Sequence, residues 1–156
     1  MRLSERHLLP VPLDHAWAAL NDLPVLRHAL PGCETLLEIA PDEFVAEMAI
    51  PLGLATPHCT VYVHRRDIQA PRACTLHFET RTPGAGAGGT GSAALRLTPA
   101  GDGATTLQVD LVVIVDGLVA QLGGALIDIA ARQMATLFFD RLREGAIARH
   151  AGAPMA

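Results

Sequence analysis

Apolar and polar residues alternate with period two over much of the chain's middle, then switch to helical spacing near residue 118. From Glu43 to Ile50, one phase carries Phe44, Ala46, Met48 and Ile50 and the other carries Glu43 and Glu47. Cys59, Val61 and Val63 alternate with Thr60, Tyr62 and His64, and Leu76 and Phe78 with Thr75, His77 and Glu79. Ala93, Leu95 and Leu97 alternate with Ser92 and Arg96, and Leu107, Val109 and Leu111 with Gln108 and Asp110. The intervening "APDE", "PLG", "QAPR" and "PAGDGAT" are turn material. Successive alternating runs joined by turns predict an antiparallel meander with one face in water.

The meander is framed by other patterns. "RLSERHLL" alternates roughly and predicts a first strand, ended by Pro10 and Pro12. "LDHAWAAL" predicts a short helix with Asp14 near its start, and "NDLPVLRHAL" a second one. In the second, Asp22 is positioned to cap, Pro24 sits in the first turn, and Pro31 and Gly32 stop the helix. From Leu118 to Ala146 the spacing predicts about seven continuous helical turns. Val119, Leu122, Leu126, Ala130, Met134, Leu137 and Phe138 fall on one side of it, opposite Gln121, Asp128, Arg132 and Arg143.

These phases name an interior. The strands contribute Phe44, Met48, Cys59, Val61, Leu76, Phe78, Val109, Leu111 and Val113. The last helix contributes Leu122, Leu126, Ala130, Met134 and Leu137. Inward phases supply almost no titratable group, and Gln133, at the margin of the apolar arc, is the nearest polar candidate.

At 156 residues the chain is read as one domain, 1–148, followed by a flexible tail, 149–156. A domain of this length buries roughly 70% of its extended-chain surface, enough for a core without staples. A formal net charge of −4 gives nucleic-acid phosphates nothing to hold, so nucleic acid is excluded as a partner. The N-terminus has charges and prolines where a signal peptide needs an apolar stretch, and no segment reaches the roughly 20 apolar residues of a membrane span. The expected location is cytoplasmic. Cys33, Cys59 and Cys74 are odd in number and form no close pair, so free thiols are expected.

Several patterns bear on chemistry. In "TPGAGAGGTG", Gly84, Gly86 and Gly89 fit the G-x-G-x-x-G spacing of dinucleotide sites. Such a site needs a helix after the glycines, to face the pyrophosphate. Here "SAALRLTP" follows, which alternates like a strand, and no lysine precedes Ser92 to complete a Walker loop. The glycines are read as a connection that lets two strands bend sharply or a mouth open. His58, Cys59, His64 and His77 are types that bind zinc, but Cys59 alternates out of phase with the three histidines. No metal and no cofactor are therefore expected. No G-x-S-x-G turn supports a nucleophilic triad, so no catalytic residue is assigned. Glu43 with Glu47, and Asp110 with Asp116, read as solvated carboxylates, whereas Asp140 lies closer to the inward arc of the last helix. Val112 and Ile114 make "LVVIV" apolar on both faces. This is either a central strand covered on its outside or a docking patch, including self-association as a homodimer.

Three phrases carry a family likeness: "WAALNDLPVLRHALPGCETL" from Trp17, "GTGSAALRL" from Gly89 and "LVAQLGGALIDIAARQMATLFF" from Leu118. With the spacing between them, the chain resembles the family of carbon monoxide dehydrogenase G subunits, within the START-like, Bet v 1-type (SRPBCC) superfamily. The resemblance implies an α+β helix-grip fold. About seven antiparallel strands would curve around the long C-terminal helix, with two short helices after the first strand. It further implies an apolar cavity and an accessory role beside a molybdenum hydroxylase of the carbon monoxide dehydrogenase type, with a quinone- or lipid-like cargo. The residues placed to line such a cavity are Phe44, Met48, Cys59, Leu76, Phe78, Leu111 and Val113 from the sheet. Leu122, Leu126, Ala130, Gln133, Met134 and Leu137 join them from the helix. Family members carry more lysines where this chain has Thr56, Thr60, Thr90 and Leu118, and longer ones extend past the helix. The implied membrane contact is at most transient.

Three functions remain in play. The leading one is a non-catalytic binder of an apolar small molecule. The others are a cyclase or hydrolase of the same superfamily, which needs a titratable group in its cavity, and an assembly factor with a filled core.

Overall fold

The computed structural model describes residues 1–51, 54, 56–82, 86–121 and 123–152, with the backbone alone at 86, 87, 118 and 119. In chain order the elements are β1 (Arg2–Leu9), α1 (Leu13–Leu20), α2 (Leu23–Ala29), β2 (Cys33–Ala40), β3 (Glu43–Ala49) and β4 (His58–Gln69). There follow β5 (Ala73–Thr82), β6 (Gly86–Pro99), β7 (Thr105–Val115), α3 (Gly117–Ala120) and α4 (Gly124–His150). The seven strands form one antiparallel sheet in the order β1-β7-β6-β5-β4-β3-β2. Strands β2 to β7 are a meander, and the first strand adds an edge by pairing with the last.

The register confirms the alternation. Phe44 pairs with Val63, Ala46 with Val61 and Met48 with Cys59. Val63 faces Phe78, Phe78 faces Gly91, and Gly91 faces Val113, so one row of inward positions crosses five strands. Directly opposed residues share a sheet face, which is why one strand's phase fixes its neighbour's.

Four features differ from the sequence expectation. Strand β2 was not legible in the alternation, because "CETLLEIA" is an edge strand with irregular pairing between Cys33 and Thr35 and between Glu38 and Ala40. Its Leu37 and Ile39 remain in water. Strand β6 begins at Gly86, so Gly88, Gly89 and Gly91 lie inside a strand, not in a connecting loop. The final helix is broken: Gly123, at φ 90°, separates α3 from α4, and α4 continues past Ala146 to His150. Arg149 and His150, expected in a loose tail, are helical, and Arg149 Nε donates to Asp22 Oδ2 at 2.9 Å.

The two short helices are built as their sequences dictate. Asp22 caps α2, its carboxylate accepting from the Val25 amide at 3.3 Å, with Pro24 in the first turn. Gly32 ends the corner at φ 76°, and a Cβ there would lie 2.0 Å from the Ala49 carbonyl oxygen. Only glycine lets the corner press this closely on β3.

The core divides in two. One cluster gathers Leu9, Val11, Leu97, Leu107, Phe139, Leu142 and Ala146 with the small inner faces of α1 and α2. Each fully buried leucine contributes about 1.5–3 kcal/mol of transfer free energy. The buried Thr105 hydroxyl is satisfied by the Val11 carbonyl at 2.9 Å. The second cluster is Ala46, Met48, Cys59 and Val61, with Met134 reaching it from α4. Helix α4 makes its main backbone approaches to α2, α1 and β1.

Candidate binding compartment

Between the two clusters, side chains that face the helix are incompletely covered. On β7, Leu107 is 0% exposed and on β6 Leu97 is 2% exposed. Yet Val109, Leu111 and Val113, next along the same face of β7, are only half-buried, as are Leu95, Leu76 and Phe78 on the strands beside it. Helix α4 answers with half-buried Leu126, Ile127 and Met134 around buried Ala130. Inward-facing apolar groups in a packed interior touch neighbours on every side. Here the chain's own side chains leave part of that contact unmade, which makes this stretch of the inner face the candidate binding region.

Of the expected lining, Met48, Cys59, Phe78 and Met134 share one cluster, while Phe44 lines the corner cleft by α1 and α2. Met48 and Cys59 are buried, Ala130 is buried, and Phe44, Leu76, Phe78, Leu111, Val113, Leu126 and Met134 face inward and half-buried. Val61 and Val109 hold the interior phase as well. Leu122 and the Val119 side chain lie outside the described residues. Three expectations are corrected. Gln133 is exposed, Leu137 is 44% exposed, and Asp140 is exposed. The cause is the C-terminal half of α4, which beds between α1, α2 and β1 and buries Phe139, Leu142, Gly145 and Ala146. Facing several elements rotates the buried arc away from Leu137 and Gln133. Ala146 shares a cluster with Ala16, Ala19 and Ala29, and Gly145 beside it is buried.

The inward phases also hold titratable groups that the strand patterns of the meander did not disclose. In β1, Leu3, Glu5, His7 and Leu9 pair with Leu111, Val109, Leu107 and Thr105. Glu5 and His7 therefore share the inner face with two buried leucines. Their side chains are bonded, His7 Nε2 to Glu5 Oε2 at 3.2 Å, and are 33% and 31% exposed. The imidazole stacks on Phe139 of α4, with ring centroids 3.8 Å apart and planes 17° from parallel. The signal was the alternation of "RLSERHLL", which puts Glu5 and His7 in the phase of Leu3 and Leu9.

A second polar group is Arg65 of β4, in the phase of Val61 and Val63. Its guanidinium contacts Asp42 Oδ1 through Nε at 2.9 Å and through Nη2 at 2.7 Å, and also bonds Asn21. It lies over the Phe44 ring, 5.4 Å from the centroid. With Leu20, Leu23, Leu26 and Glu38 these residues line a cleft of about 120 Å³ at the junction of α1 and α2. Each donor group of Arg65 is committed to the protein, so it ties the helical corner to the β2–β3 turn.

Cys59 points inward, whereas His58, His64 and His77 occupy the opposite phase. Glu34 and Glu43 hold His58 and His64, each at 3.1 Å. Among the described residues no three His, Cys, Asp or Glu side chains converge as metal ligands. Burial pushes the thiols of Cys33, Cys59 and Cys74 above their ordinary pKa, and all three are free. On the outer face Ile114 is 67% exposed and Val112 half-buried, so the described residues do not cover that strand.

A curved seven-stranded antiparallel sheet with a long C-terminal helix packed across it is the helix-grip architecture of START-like (SRPBCC) proteins. Within that class the chain belongs to the CoxG family of carbon monoxide dehydrogenase G subunits, whose profile matches residues 9–147. A conserved protein of Geobacillus kaustophilus superposes with a TM-score of 0.87 at 21% identity, covering 96% of this chain and 97% of that one. A START superfamily protein of Mycobacterium smegmatis gives 0.72 at 13% identity over 95% and 98%. The Zhui aromatase/cyclase of a Streptomyces species gives 0.68 at 15% identity over 99% of both. At these identities the likeness is one of fold. No curated protein sequence matches the chain significantly. Among the described residues no helix is long and apolar enough to cross a membrane.

Proposed function

We propose that the protein is a non-catalytic accessory factor that holds an apolar, quinone- or lipid-like molecule between α4 and the sheet. It would serve a molybdenum-hydroxylase partner of the carbon monoxide dehydrogenase type, in the cytoplasm. One observation carries the reading: Val109, Leu111 and Val113 face the helix but stay half-buried, while Leu107 on the same strand is fully enclosed. Family membership supports the redox partner. Burying about 200 Å² of apolar ligand surface at ~25 cal/mol per Å² supplies about 5 kcal/mol before association costs.

Titration of a short-chain quinone analogue tests it. Leu126→Trp fills the compartment and should weaken binding at least tenfold, whereas Gln133→Leu, on the exposed side of α4, should leave it unchanged. Tight binding to the Leu126→Trp protein would remove the compartment from consideration. The unfilled interior argues against an assembly factor with a packed core. The Glu5–His7 pair supports a second reading, a cyclase- or hydrolase-type enzyme. That reading requires turnover of an aromatic or ester probe that is lost in His7→Phe. Exposed Ile114 supports self-association through Val112 and Ile114. Sedimentation equilibrium should then show a dimer that Ile114→Lys dissociates.

A further inference from the structure

We propose that Glu5 and His7 form the polar pole of the compartment, recognising a hydroxyl on an otherwise apolar, ring-bearing ligand. This rests on the reading that the interior binds a ligand. Three features of the pair point to it. Both residues sit on the inner face of β1, in register with Val109 and Leu107 and bracketed by buried Leu3 and Leu9. Polar side chains placed on an apolar inner face need partners, since a desolvated group left unpaired is costly. Each here keeps about a third of its surface accessible, so the pair is open to an incoming group.

The geometry also orients the imidazole. Phe139 covers one ring face and Glu5 engages Nε2; in a neutral ring whose Nε2–H donates to the carboxylate, Nδ1 is the acceptor. Nδ1 has no hydrogen bond within the described residues and then presents a lone pair. A lone pair accepts from a hydroxyl and does not donate to a carbonyl. The preferred ligand class is accordingly a phenol-type or other hydroxyl-bearing apolar molecule, with its ring against Leu111 and Leu126 and its oxygen toward β1. Few polar groups in an apolar pocket are what set ligand orientation and selectivity.

The experiment compares 2-methyl-1-naphthol with 2-methylnaphthalene, which differ by the hydroxyl, using calorimetry or fluorescence. The parent should bind the naphthol about tenfold more tightly, the worth of one good hydrogen bond. His7→Phe preserves the stack on Phe139, and Glu5→Gln preserves the strand; both should bind the two probes equally, with methylnaphthalene affinity unchanged. The His7 ring resonances should move on adding naphthol and stay in place with methylnaphthalene. A hydroxyl preference that survives both substitutions, or none in the parent, overturns the polar pole while leaving the compartment intact. Failure of both probes to bind the parent overturns the compartment itself.

Discussion

The Phe78 ring lies directly over Gly91: a Cβ at Gly91 would sit 2.7 Å from Phe78 Cζ and 2.3 Å from the Val112 carbonyl oxygen. The two residues are partners in the β5–β6 ladder, on the face turned toward α4. The glycine is a seat for the ring. Gly91→Ala should cost roughly 1–3 kcal/mol, as overpacking does when backbone is the obstacle. Phe78→Leu in that background should recover only part of the loss, because the Val112 carbonyl stays where it is. Urea midpoints of the parent, both single variants and the double variant measure this.

Asp22 should matter more than its ion-pair partner. It caps α2 through the Val25 amide and also accepts from Arg149. Asp22→Ala removes both interactions and should destabilise by about 1 kcal/mol, within the usual range for a lost cap. Arg149→Ala removes a partly exposed pair and should cost at most about 0.5 kcal/mol. Thermal unfolding of the two variants should rank them in that order.

Arg65→Met should free the corner that Arg65 fastens. Its bonds to Asp42 and Asn21 hold α1 and the β2–β3 turn together over Phe44. The expected destabilisation is about 1–2 kcal/mol, discounted because the Asp42 side chain is 41% exposed. Hydrogen exchange should quicken in α2 before it quickens in β6. Uniform acceleration across the sheet would contradict a local fastening role.

Alkaline pH should weaken the fold through its thiols. Burial raises the pKa of Cys33, Cys59 and Cys74, with Arg27 opposing and Glu34 adding at Cys33, Glu47 adding at Cys59, and Arg65 opposing and Asp42 adding at Cys74. The native state thus favours the protonated thiol, and the unfolded chain ionises first as pH rises. This stability is fully present below the ordinary thiol pKa and is lost as pH climbs through the raised native values. The chain has no lysine and a single tyrosine, so the thiols are a large share of its side chains that ionise at alkaline pH. Urea midpoints should fall at alkaline pH, and the fall should shrink when Cys59 and Cys74 are both replaced by alanine.

The sheet was legible wherever one face is wet and the neighbour enforces register, as at Phe44, Val61 and Phe78. Alternation failed at β2 for lack of a buried face: Leu37 and Ile39 are exposed on an edge with pairing shifts. The helix was legible as an element, and its inner arc at Leu126, Ala130, Met134 and Phe138. Leu137 and Gln133 were misplaced because a period of 3.6 cannot say how many partners surround a helix. Phe139 and Leu142 are buried because α1, α2 and β1 converge on that half. Glu5 and His7 were written in the alternation of β1, but their polar type suggests water, and only the helix above them shows otherwise.

The division of the interior has a further meaning for descent. In the binding role proposed above, the half-covered residues meet the guest, and the enclosed residues that secure the fold, Leu9, Leu97, Leu107 and Leu142, are a separate set. Lineages can therefore exchange Leu111, Val113 or Leu126 for side chains suited to a new occupant while the enclosed set stays constant. Divergence among relatives should then concentrate in one part of the inner face and spare the other.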